Sequence, residues 1–201
     1  MNTPHLEFWF DFGSPYSHLT AQRIDALAHE RGVRVVWRAM LLGPIFRNAG
    51  WSGSPFQQQQ PAKLAYMWTD IARQSAKYRW PWTQPTAFPR SSLLPARIAT
   101  AFCDEAWIGQ FCARVFALNF VHDAEIDSID AMQGVLRDLG LPADTVIARA
   151  QTPEIKQALR DRTALGEQRG LFGAPSFLVG DALFWGNDRL EDALDAACDH
   201  T

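Results

Sequence analysis

Residues 6–12, LEFWFDF, are dense in Phe and Trp and read as a buried central strand. From Pro15 the period changes. Tyr16, Leu19, Ile24, Leu27 and Ala28 share one helical face while His18, Gln22, Asp25 and His29 fall opposite, which predicts one amphipathic helix of about four turns ending near Gly32. On that reading His18 lies on the solvent-exposed face. The run VRVVW, residues 33–37, follows as a second strand, and strand, helix and strand in so few residues predict a βαβ unit with a parallel pair.

The strand signal then lapses. Residues 40–60 hold Gly, Pro, Asn, Ser and the four glutamines Gln57 to Gln60, and read as a loop or short turns. Helical periodicity covers residues 62–78, breaks at the aromatic, proline-rich RWPWTQPTAFPR, and resumes at Ser92. Further amphipathic segments follow at residues 107–120, at Ile129, Met132, Val135, Leu136 and Leu139, and at Ile155, Ala158, Leu159, Arg162 and Leu165. Strand chemistry returns in APSFLVGDALFWG, where two short apolar runs flank the turn dipeptide Gly180-Asp181 and predict a hairpin, and a helix over residues 189–198 closes the chain. The order βαβ, helical block, ββα predicts an α/β fold. Both ends of the chain, residues 1–42 and 168–201, would form a small sheet domain, with an all-helical domain inserted as residues 43–167.

A chain of 201 residues, 47% hydrophobic and 20% charged, can bury a core without metals or disulfides. Its net charge of −3 supplies no basic field for a nucleic-acid backbone, so DNA and RNA are not expected partners. The start of the sequence has no charged and apolar leader pattern, and no window approaches the length of a membrane span. The cysteines Cys103, Cys112 and Cys198 form no C-x-x-C and are expected as free thiols in a reducing cytoplasm. No metal site is expected.

Three stretches carry candidate chemistry. In Ser14-Pro15-Tyr16-Ser17 the first serine falls at a helix N-cap and the proline at the first helical position, where its missing N–H costs nothing. That accounts for the pair structurally. The functional alternative is that the helix start and the Ser14 hydroxyl stabilise an anion. In FGAPSFLVG, Pro175 opens a strand after Ala174, and such a bond can be cis. In LFWGNDRLEDAL, Asp188 and Glu191 have capping-box spacing, while a helix start with an acidic residue can also hold an amino acid by its carboxylate and ammonium. No Ser-His-Asp arrangement that would activate a serine nucleophile is evident.

Together these stretches resemble the thioredoxin superfamily, and the helical insertion resembles its DsbA-like branch, with Ser14-Pro15-Tyr16-Ser17 where that branch carries Cys-Pro-X-Cys. FDFGSPYS, LLGPIF, PAKLAYMW, FPRSSLL and LFGAPSFLVGDALFWGNDRL resemble 2-hydroxychromene-2-carboxylate isomerases and kappa-class glutathione transferases, over residues 7–194. The resemblance implies a thioredoxin-like fold and glutathione as cofactor, with the thiol arriving on the ligand and Ser14 as the catalytic hydrogen-bond donor to its thiolate. It implies that Ser14, Pro15, Tyr16, Ala174 and Pro175 line the glutathione site, with Asn187 and Asp188 at the γ-glutamyl end. It implies a substrate pocket at Arg47, Trp51, Ser52, Trp82, Phe88, Arg90 and Ser91. Ser52 and Ser91 stand where relatives often carry Asn, Pro95 interrupts SLLPAR, and the lysine that meets the substrate carboxylate in the isomerases has no aligned match. The activity implied is glutathione-dependent isomerisation of 2-hydroxychromene-2-carboxylate or a similar aryl keto acid, in a cytoplasmic homodimer. The alternatives are a kappa-like transferase or peroxidase, and a DsbA-like protein that binds peptides without catalysis.

Overall fold

The computed structural model describes residues 4–51 and 61–199. Its sheet has four strands in the order β2-β1-β3-β4: β1 His5–Phe10, β2 Arg34–Ala39, β3 Ser176–Val179 and β4 Ala182–Trp185. β1 pairs parallel with β2 and antiparallel with β3, and β3 turns into β4 through Gly180 at φ +55°. Asp181 completes the hairpin that the Gly-Asp dipeptide predicts. The first two strands come from one end of the chain and the last two from the other, so β1 is central and needs apolar side chains on both faces.

On one face Phe8 and Phe10 join Trp37, Phe177 and Phe116, with Phe8 paired in register with Trp37 on one side and Phe177 on the other. On the other face Trp9 packs with Met40, Ile45, Leu171 and Leu178. Here the absence of a side chain at Gly166 matters, because a Cβ there would stand 3.1 Å from the Trp9 ring. That close approach lets a helix lie directly on the sheet.

The helices are α1 Pro15–Ala21, α2 Ile24–Glu30, α3 Leu42–Asn48, α4 Pro61–Tyr78, α5 Leu93–Ala101, α6 Ile108–Phe120, α7 Ile129–Asp138, α8 Ala143–Ala150, α9 Pro153–Gln168 and α10 Leu190–Asp199. A 3-10 turn, Asn187–Arg189, precedes α10. Three of these differ from the expectation. The helix after Ser14 is two helices, broken at Gln22 and Arg23. Arg23 leaves helical dihedrals (φ −129°, ψ −17°), and its guanidinium bonds the Asn187 carbonyl at 2.5 Å and Glu191 at 2.9 Å. Residues 42–48 form a helix where loop or turns were expected. Its first N–H is taken by the Asp11 carboxylate at 2.8 Å, a tertiary partner that local periodicity does not reveal. α8 was not anticipated, because its eight residues are too few for a clear period. Gln57 to Gln60 lie outside the described residues.

His18 is also placed differently. It is 1% exposed, because α6 covers the polar-looking face of α1 and sets the imidazole against Phe116 and Phe120. Neither ring nitrogen has a hydrogen-bond partner among the described residues, and burial lowers its pKa to about 4.

Candidate active site

The site begins where β1 ends. Asp11 organises the turn into α1: one carboxylate oxygen accepts from Gly13 N–H at 2.7 Å and from the Ser92 hydroxyl at 3.2 Å, the other accepts from Leu42 N–H, and its carbonyl accepts from Ser14 N–H at 2.9 Å. Burial pushes the Asp11 carboxyl pKa up, and the three donors oppose that rise. One side chain thus joins the β1–α1 turn, the start of α3 and the entry to α5. The Asx turn in Asp11-Phe12-Gly13 was the sequence signal for it.

Ser14 is the N-cap of α1. Its backbone is extended (φ −90°, ψ 116°), and its hydroxyl oxygen accepts from Ser17 N–H at 3.2 Å. The same hydroxyl donates to the carbonyl of Ala174 at 3.0 Å, across 160 residues of sequence. Ala174-Pro175 is a cis bond, and Gly186 N–H bonds the Pro175 carbonyl at 2.9 Å. The serine-proline and alanine-proline motifs therefore meet in space, and Ser14 is buried at their junction. Gly13 lies under the next loop: a Cβ there would be 3.4 Å from Pro89, which follows a second cis bond after Phe88.

Beyond Pro15, Tyr16 donates its phenol proton to Asp70 of α4 at 2.8 Å, and burial together with that carboxylate raises the phenol pKa. Tyr16, Trp68, Trp80, Trp82 and Phe88 pack against one buried cluster, Leu19, Met67 and Ile71, with Trp68 stacked on Trp82 at 5.7 Å between ring centres and edge-on to Phe88 at 4.7 Å. Trp82 and Phe88 of the expected pocket are thereby brought beside the Ser14 turn.

The other pocket residues are placed otherwise. Arg90 is nearly enclosed. Its guanidinium bonds the Asn119 side chain at 2.9 Å and the Asp123 carboxylate and carbonyl at 2.5 and 3.1 Å, and Asn119 in turn donates to the Phe12 carbonyl at 3.0 Å. Arg90 thus ties the loop after α6 to the end of β1. Ser91 donates to Asp127. Arg47 is exposed in the last turn of α3, and Trp51 is half-buried just after it. Ser52 lies outside the described residues.

At the far end of α1, Asn187 is buried, accepting from the Thr20 hydroxyl at 3.1 Å through its side chain and from Arg23 through its carbonyl. Asp188 is exposed and pairs with Arg189 at 2.9 Å, and Glu191 pairs with Arg23. The capping box that the Asp188–Glu191 spacing predicts does not form: the 3-10 turn has no side-chain cap, and both carboxylates face cations instead. A buried serine thus stands at a helix start opposite the backbone before a cis-proline, with an aromatic cluster to one side and an acidic turn at the far end of α1.

Residues 5–197 match the DSBA-like thioredoxin domain model, so the chain belongs to that family. Within it, the chain is 31% identical to a 2-hydroxychromene-2-carboxylate isomerase of Sphingobium xenophagum, over 94% of this chain and 95% of that protein. It is 25% identical to glutathione S-transferase kappa 2 of Caenorhabditis elegans, over 96% of this chain and 92% of the relative. A solved 2-hydroxychromene-2-carboxylate isomerase superimposes with a TM-score of 0.83 at 26% identity, over 98% of this chain and 97% of the other. The fold is thioredoxin-like with a DsbA-type helical insertion, and the chain is an enzyme of the 2-hydroxychromene-2-carboxylate isomerase type. Among the described residues no group of side chains could hold a metal ion, and no helix is long and apolar enough to cross a membrane.

Proposed function

We propose that the protein is a glutathione-dependent isomerase acting on 2-hydroxychromene-2-carboxylate or a similar aryl keto acid. The observation that carries this reading is the Ser14 hydroxyl, which sits at a helix start against the carbonyl before the cis-proline, with serine at position 17 as well, so the turn supplies a hydrogen-bond donor and no thiol of its own. Bound glutathione would supply a soft nucleophile for reversible addition to an electrophilic carbon of the substrate, so that rotation about the former double bond becomes possible and the thiol is regenerated on elimination.

The residues of this chain do the rest. With glutathione bound, Ser14 would turn its one hydroxyl proton from the Ala174 carbonyl to the thiolate and lower that thiol's pKa, as a hydroxyl and a helix start lower that of a cysteine. Ala174 and Pro175 hold the cysteinyl part through the backbone, Tyr16 and Pro15 line the same turn, and Asn187 with Asp188 takes the γ-glutamyl end. The wall of Trp68, Trp82 and Phe88 stacks on the aryl ring and excludes water from it. Because Arg90 is engaged with Asn119 and Asp123, Arg47 is the arginine of the two that remains for the substrate carboxylate. His18 takes no part, since it is buried against Phe116 and Phe120.

The three free cysteines fit a cytoplasmic enzyme, and we expect a homodimer in solution. A kappa-like transferase or peroxidase is the second reading, favoured by the relative in Caenorhabditis elegans that carries that name. The test is isomerisation of the aryl keto acid with and without glutathione. Turnover that depends on glutathione without consuming it supports the isomerase, a conjugated or oxidised product supports the second reading, and turnover independent of glutathione removes both.

A further inference from the structure

We propose a second small-molecule site, for a monocarboxylate on an apolar or aryl body, in the cavity between helix α9 and the sheet, where Arg38 and Arg162 hold the carboxylate. None of the residues assigned above to the glutathione or substrate site lines this cavity, and the proposal does not depend on the glutathione reading.

The cavity, of about 420 Å³, is lined by Glu7 and Trp9 of β1, Arg38 of β2, and Asp161, Arg162 and Leu165 of α9. Sites that take small molecules run from about 300 to 1,000 Å³. Residues two apart on a strand share a face, and Arg38 is the partner of Trp9 in the neighbouring strand, so Glu7, Trp9 and Arg38 stand on the side of the sheet that α9 covers. Gly166, next to Leu165, lets the helix approach Trp9 closely beside them.

The two arginines are charged groups short of acceptors. Arg162 donates from Nη2 to the Cys103 sulfur at 3.6 Å, a weak acceptor, and its Nη1 is enclosed with no hydrogen-bond partner among the described residues. Burial lowers the Arg162 pKa, Arg38 adds to the fall, and Cys103 and Asp104 oppose it. Arg38 has only a long ion pair among the described residues, 3.7 Å to Glu7. The carboxylates of the cavity are engaged elsewhere: Glu7 accepts from the Trp9 indole at 2.8 Å and from Arg169 at 2.9 Å, and Asp161 accepts from Gln157 at 2.6 Å. Two neighbouring guanidiniums taken partly out of water are costly unless an oxyanion meets them, and the two oxygens of a carboxylate match the planar fork of each. Glu7 and Asp161 repel a multiply charged phosphate, so a single negative charge is favoured. The Trp9 ring and Leu165, which is 48% exposed, give the body of the ligand an apolar contact.

The probe is 4-bromobenzoate, with inorganic phosphate and the uncharged 4-bromobenzamide as controls. In crystals of the full chain soaked with it, the anomalous signal of bromine is expected between β2 and α9, with the carboxylate on Arg38 and Arg162. In calorimetry, Arg162→Gln and Arg38→Gln with native melting curves are expected to bind it about tenfold or more weakly than the parent, and the parent to bind both controls weakly. Waters alone in the cavity, bromine only beside Ser14 or Arg47, phosphate bound as tightly as bromobenzoate, or a folded Arg162→Gln that keeps the full affinity overturns the proposal. If both variants fail to fold, the position of the bromine in the parent decides it.

Discussion

Replacing Ser14 by Ala removes two things that the structure separates. The first is structural: the cap to Ser17 N–H at 3.2 Å and the bond to the Ala174 carbonyl at 3.0 Å. Losing an N-cap to Ala costs about 1 kcal/mol, and losing a hydrogen bond to a buried carbonyl costs about the same, so stability should fall by about 2 kcal/mol. At ~2–4 °C per kcal/mol for a chain of this size, Tm should drop by about 4–8 °C. The second is chemical. A hydrogen bond to a charged group contributes ~1.5–3 kcal/mol, so the pKa of the bound glutathione thiol should rise by about one to two pH units, with a parallel loss in turnover. Ser14→Gly distinguishes the two, since glycine caps within a few tenths of a kcal/mol of serine but offers no donor to sulfur. Relative to Ser14→Ala it should recover about half of the lost melting temperature, since the bond to the Ala174 carbonyl is still gone, and none of the thiolate. The assay is ultraviolet absorbance of enzyme-bound glutathione against pH, alongside thermal melting. If the thiolate titrates in Ser14→Gly and Ser14→Ala as in the parent, Ser14 is only a helix cap.

Three further outcomes are expected. His18 has a folded-state pKa of about 4 against an ordinary 6.5, so between those values the unfolded chain binds the extra proton; stability is fully retained above pH 6.5 and falls by ~1.4 kcal/mol per pH unit on acidification toward pH 4. The stability difference between His18→Leu and the parent, measured by denaturant melts across that window, should show this slope, and a flat difference would contradict the buried neutral imidazole. Arg90→Lys should lower Tm while leaving the substrate KM unchanged, because lysine cannot bridge Asn119 and Asp123 as the guanidinium does; a changed KM with native melting would return Arg90 to the substrate pocket. Asp188→Asn should melt like the parent, since Asp188 caps nothing, yet bind glutathione about tenfold more weakly; equal binding by titration would remove Asp188 from the γ-glutamyl site.

The order of the four strands around a helical block, the hairpin at Gly180-Asp181, the parallel pairing of the first two strands and the cap at Ser14 were legible in the sequence; the break after α1, the short helix α3 and α8 were not. Each legible feature is written in local chemistry: a change of hydrophobic period, a turn dipeptide, or a hydroxyl followed by proline. The motifs FGSPYS and FGAPSF could be recognised as motifs, but their meeting through the Ser14–Ala174 hydrogen bond is a contact across 160 residues. What local pattern could not decide was which polar residues face water. His18 has the spacing of an exposed side chain and is buried, because a helix about 100 residues later covers it. Arg90 has the composition of a substrate ligand and is held by Asn119 and Asp123. Asp188 and Glu191 have the spacing of a capping box and pair instead with Arg189 and Arg23. Asp11 shows in the sequence only as an Asx turn and Asp70 as a lone carboxylate, and neither pattern reveals the distant donors that reach it. Hydrophobic period acts between neighbours in sequence and fixes the elements; a buried polar group must satisfy its charge or hydrogen bonds with whatever the packed fold brings near, and only the tertiary structure determines those partners.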